Sequence, residues 1–184
     1  MMKFDDLSPV KGLIAVGIMT VIIVMSNILV QPQYHLNAWL TWGAITYPFA
    51  FLVTDLLNRR FGPVAARRVV FIGFIVAVVI SYFYADARIA IASGSAFLLA
   101  HLADIFVFDK LRRKSWWKAP FIAGFLASFV DTYIFFGMAF IGTGIPWLTL
   151  GLGDLVIKLA MNLFLLLPFR ALMWNLGNQS VSKN

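Results

Sequence analysis

The sequence contains no cysteine and no glutamate, and only 12% of its 184 residues are charged. Without cysteine, a disulfide framework, a thiol nucleophile and a cysteine metal site are all excluded. A soluble domain carries roughly 25% charged residues, so this chain has about half the expected charge, against 61% hydrophobic residues. The composition excludes an ordinary soluble enzyme and a disordered chain. It predicts a small polytopic membrane protein.

Catalytic and metal-binding patterns are also missing. The two histidines, His35 and His101, lie in different segments, and zinc sites take three or four ligands. There is no glycine-rich phosphate loop of the Walker type. Ser95 and His101 lie on roughly opposite faces of one predicted helix, without an oxyanion motif. We therefore expect no metal, no cofactor and no catalytic residue, and an intramembrane enzyme is the minor hypothesis.

Six long apolar stretches predict an all-α integral membrane fold with six transmembrane helices. In lipid, the backbone of each stretch must satisfy its own hydrogen bonds, which favours helices. Six spans of about 20 residues need roughly 120 residues, so we expect a single six-helix domain over residues 1–184. The predicted spans are residues 12–30, 39–57, 69–85, 89–108, 120–141 and 146–168.

The basic residues predict the orientation of these spans. Arg88 lies on one side and Lys158 within a span, whereas the other thirteen of the fifteen Lys and Arg residues lie on the opposite side. The positive-inside rule therefore places both termini in the cytoplasm. We interpret the basic clusters as topology determinants and anchors to the lipid headgroups of the bilayer, and we expect no nucleic-acid partner.

The number of spans permits an internal repeat. If the chain divides near Asp86 into two three-helix halves, the second half begins on the opposite side of the membrane. That arrangement is typical of inverted-repeat transporters. A Thr-Tyr pair near the middle of span two (Thr46, Tyr47) and of span five (Thr132, Tyr133) is a weak signal for it.

Five charged residues lie inside predicted spans: Asp55, Asp104, Asp131, Asp154 and Lys158. Each costs roughly 2.5–3.5 kcal/mol to insert, so such residues face protein or water and are usually functional. Asp154 and Lys158 are four residues apart on one helix face and can pair with each other. Asp131 has no partner on its own helix. It must find one on another helix, be protonated or contact a ligand.

A second group of polar residues lies near the cytoplasmic ends of spans two and four: Asp55, Arg59, His101 and Asp104. One interpretation is a salt-bridge network that holds the helix ends together. The other is a gate that opens when those pairs break.

Aromatic residues lie near the carboxylates at membrane depth, among them Tyr47 and Phe135. Pro48 should kink span two and free backbone groups there, and such breaks are tolerated where they line a cavity. Aromatic faces beside a carboxylate suit a flat heteroaromatic ligand. Ordinary helix packing is the alternative.

Several motifs together resemble the VUT family of queuosine precursor transporters. They are the run YPFAFLVTDLLNRRFG at 47–62, HLADIFVF at 101–108, the Trp pair at 116–117, Asp131–Thr132 before a Phe-rich helix, and Lys158 with Pro168 ten residues later. The resemblance covers essentially the whole chain. It implies a six-helix protein of the inner membrane that imports 7-deazaguanine bases, such as the 7-cyano and 7-aminomethyl precursors of queuosine.

The resemblance and the residues together suggest a binding site. A guanine-like edge presents two adjacent N–H donors, which a carboxylate accepts in bidentate fashion, and aromatic rings stack on nucleobases. We expect hydrogen bonds to the carboxylates, to polar partners and to a lysine, together with aromatic stacking. The candidates are Asp131, Asp154, Lys158, Asn162, Asn27, Thr46, Tyr47 and Phe135.

The leading hypothesis is a secondary transporter with alternating access around a midplane site, with proton coupling through Asp131 or Asp154 left open. The first alternative is a substrate-binding membrane subunit of an ATP-driven vitamin-type importer. In that case the small-residue ladder Ala92, Ala96 and Ala100 is a docking face rather than an internal one. Whether the chain acts as a monomer or a homodimer is also left open.

Overall fold

The structure, a computed structural model, describes residues 6–29, 35–37, 40–84 and 87–181. It is helical apart from a short antiparallel ladder of two strands. The elements in chain order are α1 (Pro9–Leu29), β1 (His35–Asn37), β2 (Leu40–Thr41), α2 (Trp42–Thr46), α3 (Phe49–Tyr84), α4 (Ala87–Leu111), α5 (Lys118–Phe140) and α6 (Trp147–Val181).

Five stretches of the described chain are helical, long and apolar enough to cross a membrane: Pro9–Leu29, Trp42–Ile80, Ala87–Leu111, Lys118–Phe140 and Trp147–Met173. Predicted spans one, four, five and six each correspond to one of them. Predicted spans two and three both overlap the same 39-residue stretch, Trp42–Ile80. The predicted span ends at residues 30, 39 and 85, and most of the first outer loop, lie outside the described residues.

The predicted kink at Pro48 is confirmed. Helix α2 ends at Thr46, and Tyr47 and Pro48 form a turn before α3 begins. Because proline has no N–H, it cannot continue the hydrogen-bond ladder of α2. The turn is closed instead by Tyr47 N–H donating to Gly43 O (2.9 Å) and by Phe51 N–H donating to Pro48 O (3.1 Å).

The stretch Trp42–Ile80 is interrupted a second time at Gly62, within α3. Its backbone has φ 83° and ψ 172°, which is not helical. A positive φ with an extended ψ is a conformation that essentially only glycine adopts. The next residue, Pro63, has the fixed φ that suits the first position of a new helix. Residues 49–61 and 63–84 are therefore two helical segments joined at a break.

Small residues bring α4 and α5 close together. Ala92, Ala96 and Ala100 on α4 are at most 1% exposed, and Ala100 packs with Ala127 of α5 and Phe51 of α3. Short side chains at four-residue spacing let two helices approach closely in a membrane. The alanine ladder of span four thus lies inside the fold.

The start of α4 and the end of α5 are joined by an arginine. The Arg88 guanidinium at the start of α4 donates to Met138 O (2.9 Å) and Ile141 O (2.5 Å) at the end of α5. The last carbonyls of a helix have no partner within it, so a cation there satisfies them. Helices α4 and α5 are antiparallel neighbours along their whole length.

Replacing Gly62 tests the break in α3. We expect Gly62→Ala to destabilise the protein by about 1–3 kcal/mol, because alanine is strained at this φ and ψ. The measurement is thermal unfolding of the purified protein in detergent. Gly17→Ala is the matched control, since Gly17 is helical and a Cβ there meets no atom within 4 Å. Equal unfolding temperatures for the two variants would contradict the assigned conformation.

Candidate functional site

A buried lysine joins two carboxylates from neighbouring helices. Lys158 of α6 is 4% exposed, and its Nζ lies 2.6 Å from Asp131 Oδ2 and 2.5 Å from Asp154 Oδ2. Asp154 belongs to the same helix, so the pair expected from their spacing is formed. Asp131 belongs to α5, so it finds its partner on another helix, one of the three outcomes left open by the sequence.

Two hydroxyl groups complete this arrangement. Tyr47 Oη donates to Asp131 Oδ1 at 2.8 Å, and Thr132 Oγ1 donates to Asp154 Oδ2 at 2.9 Å. The Lys158 Nζ also lies 5.3 Å from the centre of the Tyr47 ring, in cation–π range. We name Tyr47, Asp131, Thr132, Asp154 and Lys158 the Lys158 cluster. It connects the turn before α3 with α5 and α6.

The Lys158 cluster carries one more carboxylate than it has cations. A buried charge is tolerated only where it is paired and hydrogen-bonded, and here a single ammonium serves two carboxylates. The cluster therefore has spare acceptor capacity. Chemically, it is suited to a ligand that brings N–H donors or a positive charge.

A cleft lies next to the Lys158 cluster, between the first segment of α3, α5 and α6. Its interior volume is about 20 Å³, which is room for about one water molecule, so the cleft must widen before it can hold a small-molecule ligand. Polar and aromatic groups share its wall with leucines. They include Phe51, Asp55, Ser128, Lys158 and Asn162.

Asn162 lies on the cleft wall and is held by α5. Its Nδ2 donates to Phe121 O at 3.0 Å. A Cβ added at Gly124 would lie 2.6 Å from Asn162 Oδ1, so the glycine makes room for the amide. Gly124 and Ser128, which lines the same cleft, are site residues that the sequence analysis missed.

Three of the predicted binding residues make their described contacts away from the Lys158 cluster and the cleft. Thr46 Oγ1 shares a hydrogen bond of 2.8 Å with Ser26 of α1. Asn27 Oδ1 accepts a long one, 3.4 Å, from Ser93 of α4. The Phe135 ring packs against its own helix, 5.1 Å from the Phe136 ring. The aromatic rings on the cleft wall are those of Phe51 and Phe169 instead.

The expected salt bridges at the cytoplasmic ends are not found among the described residues. The carboxyl groups of Asp55 and Asp104 lie close enough to interact with each other, and the Arg59 Nη1 donates to Arg112 O at 2.6 Å. Arg59 binds this carbonyl rather than Asp55 because the carbonyls at the end of α4 need donors. The His101 ring stacks on Phe51, with centroids 4.3 Å apart, and forms no ion pair within the described part of the chain.

A buried arginine, Arg112, holds the end of the first α3 segment. Its guanidinium donates to Asn58 O at 2.9 Å, to Asn58 Oδ1 and to Asp109 Oδ1 at 2.8 Å. The break at Gly62 leaves the carbonyls before it without helical partners, and Arg112 supplies one donor. In the sequence, Arg112 is indistinguishable from the basic residues that anchor headgroups.

The chain resembles known proteins over most of its length. The model of a family described as "Putative vitamin uptake transporter" matches residues 41–86 and 81–173. A protein of Haemophilus influenzae named "Probable queuosine precursor transporter" is 36% identical over 154 residues, which cover 70% of this chain and 66%, just under two thirds, of that protein. The "Queuosine precursor transporter" of Escherichia coli is 35% identical over 182 residues, covering 84% of this chain and 82% of the relative.

A more distant relative from Bacillus subtilis, also named "Probable queuosine precursor transporter", is 25% identical over 153 residues and covers 67% of each chain. No solved structure matches the chain significantly. The Lys158 cluster lies within the matched residues, and the matched segments extend over well more than half of the sequence. The chain belongs to the vitamin uptake transporter family, as a multi-pass protein of the inner membrane.

Proposed function

We propose that this chain imports a queuosine precursor, a 7-deazaguanine base, as an autonomous secondary transporter. The observation that carries the proposal is the buried Lys158 cluster beside a narrow cleft between α3, α5 and α6. The names of the Haemophilus and Escherichia relatives support this substrate class. Alternating access around the cleft is the proposed mechanism, with a proton gradient as the driving force.

The proposed binding mode uses the spare acceptor capacity of the cluster. The N–H edge of a guanine-like base binds to Asp131 or Asp154, since a carboxylate accepts two adjacent donors. Asn162 on the cleft wall donates a hydrogen bond to the ring carbonyl or to a ring nitrogen of the base. Phe51 offers a ring for stacking, which is worth roughly 1–3 kcal/mol per base in nucleobase sites. Asn27, Thr46 and Phe135 have no part in this mode.

We propose further that the chain crosses the membrane six times. The first segment of α3 runs parallel to α4, since Phe51 contacts His101 while Asn58 Nδ2 donates to Ile105 O. The second segment runs antiparallel to α4, because Val78 lies against Gly94 and the two helices follow each other across residues 85–86. The two segments of α3 therefore run in opposite directions, and the chain reverses at Gly62.

Six crossings make two groups of three helical spans of opposite orientation. The first group consists of α1, α2 with the first α3 segment, and the second α3 segment. The second consists of α4, α5 and α6. We propose that these groups form an inverted repeat with both termini in the cytoplasm, as the basic residues indicate.

Cysteine labelling tests the reversal at Gly62, because the chain has no cysteine of its own. We expect Ala87→Cys to react with an impermeant maleimide added to intact cells. Arg67→Cys should react only after the membrane is permeabilised, since six crossings place it on the cytoplasmic side. Both side chains are exposed in the fold. Labelling of both positions from the same side would contradict six crossings.

Uptake into proteoliposomes that contain this chain alone tests the function. We expect saturable uptake of labelled 7-aminomethyl- or 7-cyano-7-deazaguanine, stimulated by an inward proton gradient. Binding without uptake would favour the alternative, a binding subunit that needs an ATPase partner. A chemically altered base in the vesicle lumen would favour the enzyme. Neither binding nor uptake of either base would contradict the proposed substrate.

Substitution of Asp131 tests the binding mode. We expect Asp131→Asn to weaken binding of the base about 10–100-fold, because a charge-assisted hydrogen bond contributes about 1.5–3 kcal/mol. The measurement is equilibrium binding of the labelled base to purified protein. Asp6→Asn is the control, since Asp6 is exposed and precedes α1. Unchanged affinity in Asp131→Asn would exclude this carboxylate as the ligand for the base.

A further inference from the structure

Two aspartates outside the Lys158 cluster face each other inside the fold. Asp55 of α3 is 5% exposed and Asp104 of α4 is fully buried. Their carboxyl groups lie close enough to interact directly with each other. The backbones beside them are tied together, since Asn58 Nδ2 donates to Ile105 O at 3.1 Å. The contact is therefore part of a fixed interface between α3 and α4.

No described side chain is found to donate a hydrogen bond to this pair. Within the described part of the chain, both oxygens of Asp104 and the Oδ1 of Asp55 lack a hydrogen-bond partner. Two ionised carboxylates in contact repel each other strongly in a buried site, so such pairs hold a proton between them. The contact itself therefore requires one bound proton.

The described partners of the nearby charged groups are other than this pair. Arg59, one turn after Asp55 on α3, donates to Arg112 O at 2.6 Å. Lys158 of α6 binds Asp131 and Asp154. Arg112 donates to Asn58 and Asp109.

His101, one turn before Asp104 on α4, is stacked between rings, with its Nδ1 3.0 Å from Phe97 O. On α5, Ser128 lines the cleft and donates to Gly124 O. None of these groups makes a described hydrogen bond or ion pair with either carboxyl.

One member of the pair also lines the cleft. Asp55 lies on the cleft wall that Lys158 shares, whereas Asp104 lies behind it and does not line the cleft. A proton on this pair can therefore exchange with water only when the cleft opens around Asp55. The event that admits or releases the substrate also controls access to the proton.

We propose that Asp55 and Asp104 form the proton-binding site that couples the proton gradient to movement of the base. This inference rests on the proposed transport function, and it places coupling at this pair rather than at Asp131 or Asp154, which are both ion-paired with Lys158. The pair takes up a proton when the cleft faces outward and releases it when the cleft faces the cytoplasm. Only O–H bonds form and break. A proton fits better than a metal ion because the described residues contain no group of three His, Cys, Asp or Glu side chains that could hold one.

The test compares two transport modes in proteoliposomes. Exchange of labelled for unlabelled base needs no net proton movement, whereas accumulation against a concentration gradient needs coupling. For the wild type, an inward gradient of one pH unit should support about tenfold accumulation if one proton moves per base, since one unit corresponds to 1.36 kcal/mol. We expect Asp104→Asn to retain exchange and to lose the tenfold accumulation. A pH dye in the lumen should then show no base-dependent acidification.

Asp109→Asn is the matched control on the same helix, since the side chain of Asp109 is 43% exposed, and it should accumulate the base like the wild type. Accumulation and acidification at wild-type levels in Asp104→Asn would overturn the coupling role. So would wild-type uptake that ignores the proton gradient, although the transport function would stand in that case. Absence of all binding and exchange in the wild type would instead contradict the transport function itself. If Asp104→Asn fails to fold, Asp55→Asn with the same two assays decides the question.

Discussion

The fold depends on one ammonium group shared by two buried carboxylates. Each of these charges is costly in a bilayer, by roughly 2.5–3.5 kcal/mol on insertion scales, and none could remain there alone. The Lys158 Nζ forms ion pairs with Asp131 Oδ2 and Asp154 Oδ2, at 2.6 and 2.5 Å. Removing one member of such a group leaves an uncompensated charge, which is why buried ion pairs fix the mutual position of the helices that carry them. Helices α5 and α6 are held in register by this contact.

Two interruptions of the stretch Trp42–Ile80 position the first segment of α3 beside α5 and α6 at the site. The turn at Tyr47 and Pro48 ends α2 and directs the Tyr47 hydroxyl to Asp131. The break at Gly62 ends the first α3 segment, whose last carbonyls are then satisfied by Arg112. Between these points lies a segment of thirteen residues, 49–61, that carries Phe51 and Asp55 on the cleft wall. Irregular backbone at membrane depth is tolerated where it is buried in protein or lines a cavity.

The sequence predicted the helices well because their signal is local. Uninterrupted apolar runs, a proline within one of them and the spacing of Asp154 and Lys158 depend only on neighbouring residues. It also identified Asp131 as a residue in need of a partner. Pairings between helices were harder, since they depend on the rotation of each helix about its axis. The pairing of Tyr47 with Asp131 therefore had no signal in the sequence.

The Asp55–Asp104 pair shows the same limitation. Proximity in sequence to Arg59 suggested that Asp55 is neutralised by a cation. In the fold, Arg59 instead donates to a carbonyl at the end of α4, and Asp55 faces a second carboxyl, that of Asp104. Opposite charges attract only when their helices face each other, and free carbonyls at helix ends compete for the same donors. A charge count along the chain therefore locates buried charges but not their partners.

The Lys158 cluster and the Asp55–Asp104 pair each contribute a side chain to the same cleft, so one opening of the cleft can expose both to solution. In the Lys158 cluster the ammonium is fixed by carboxylates, so its spare acceptor capacity is available to a ligand. The Asp55–Asp104 pair has no cation as a partner among the described residues, and the proposed neutralising species is a proton. A transporter couples two species when neither can move unless the same conformational change exposes both. Because Asp55 and Lys158 line the same cleft, any opening that releases a base from one cluster also exposes the other to the same solution.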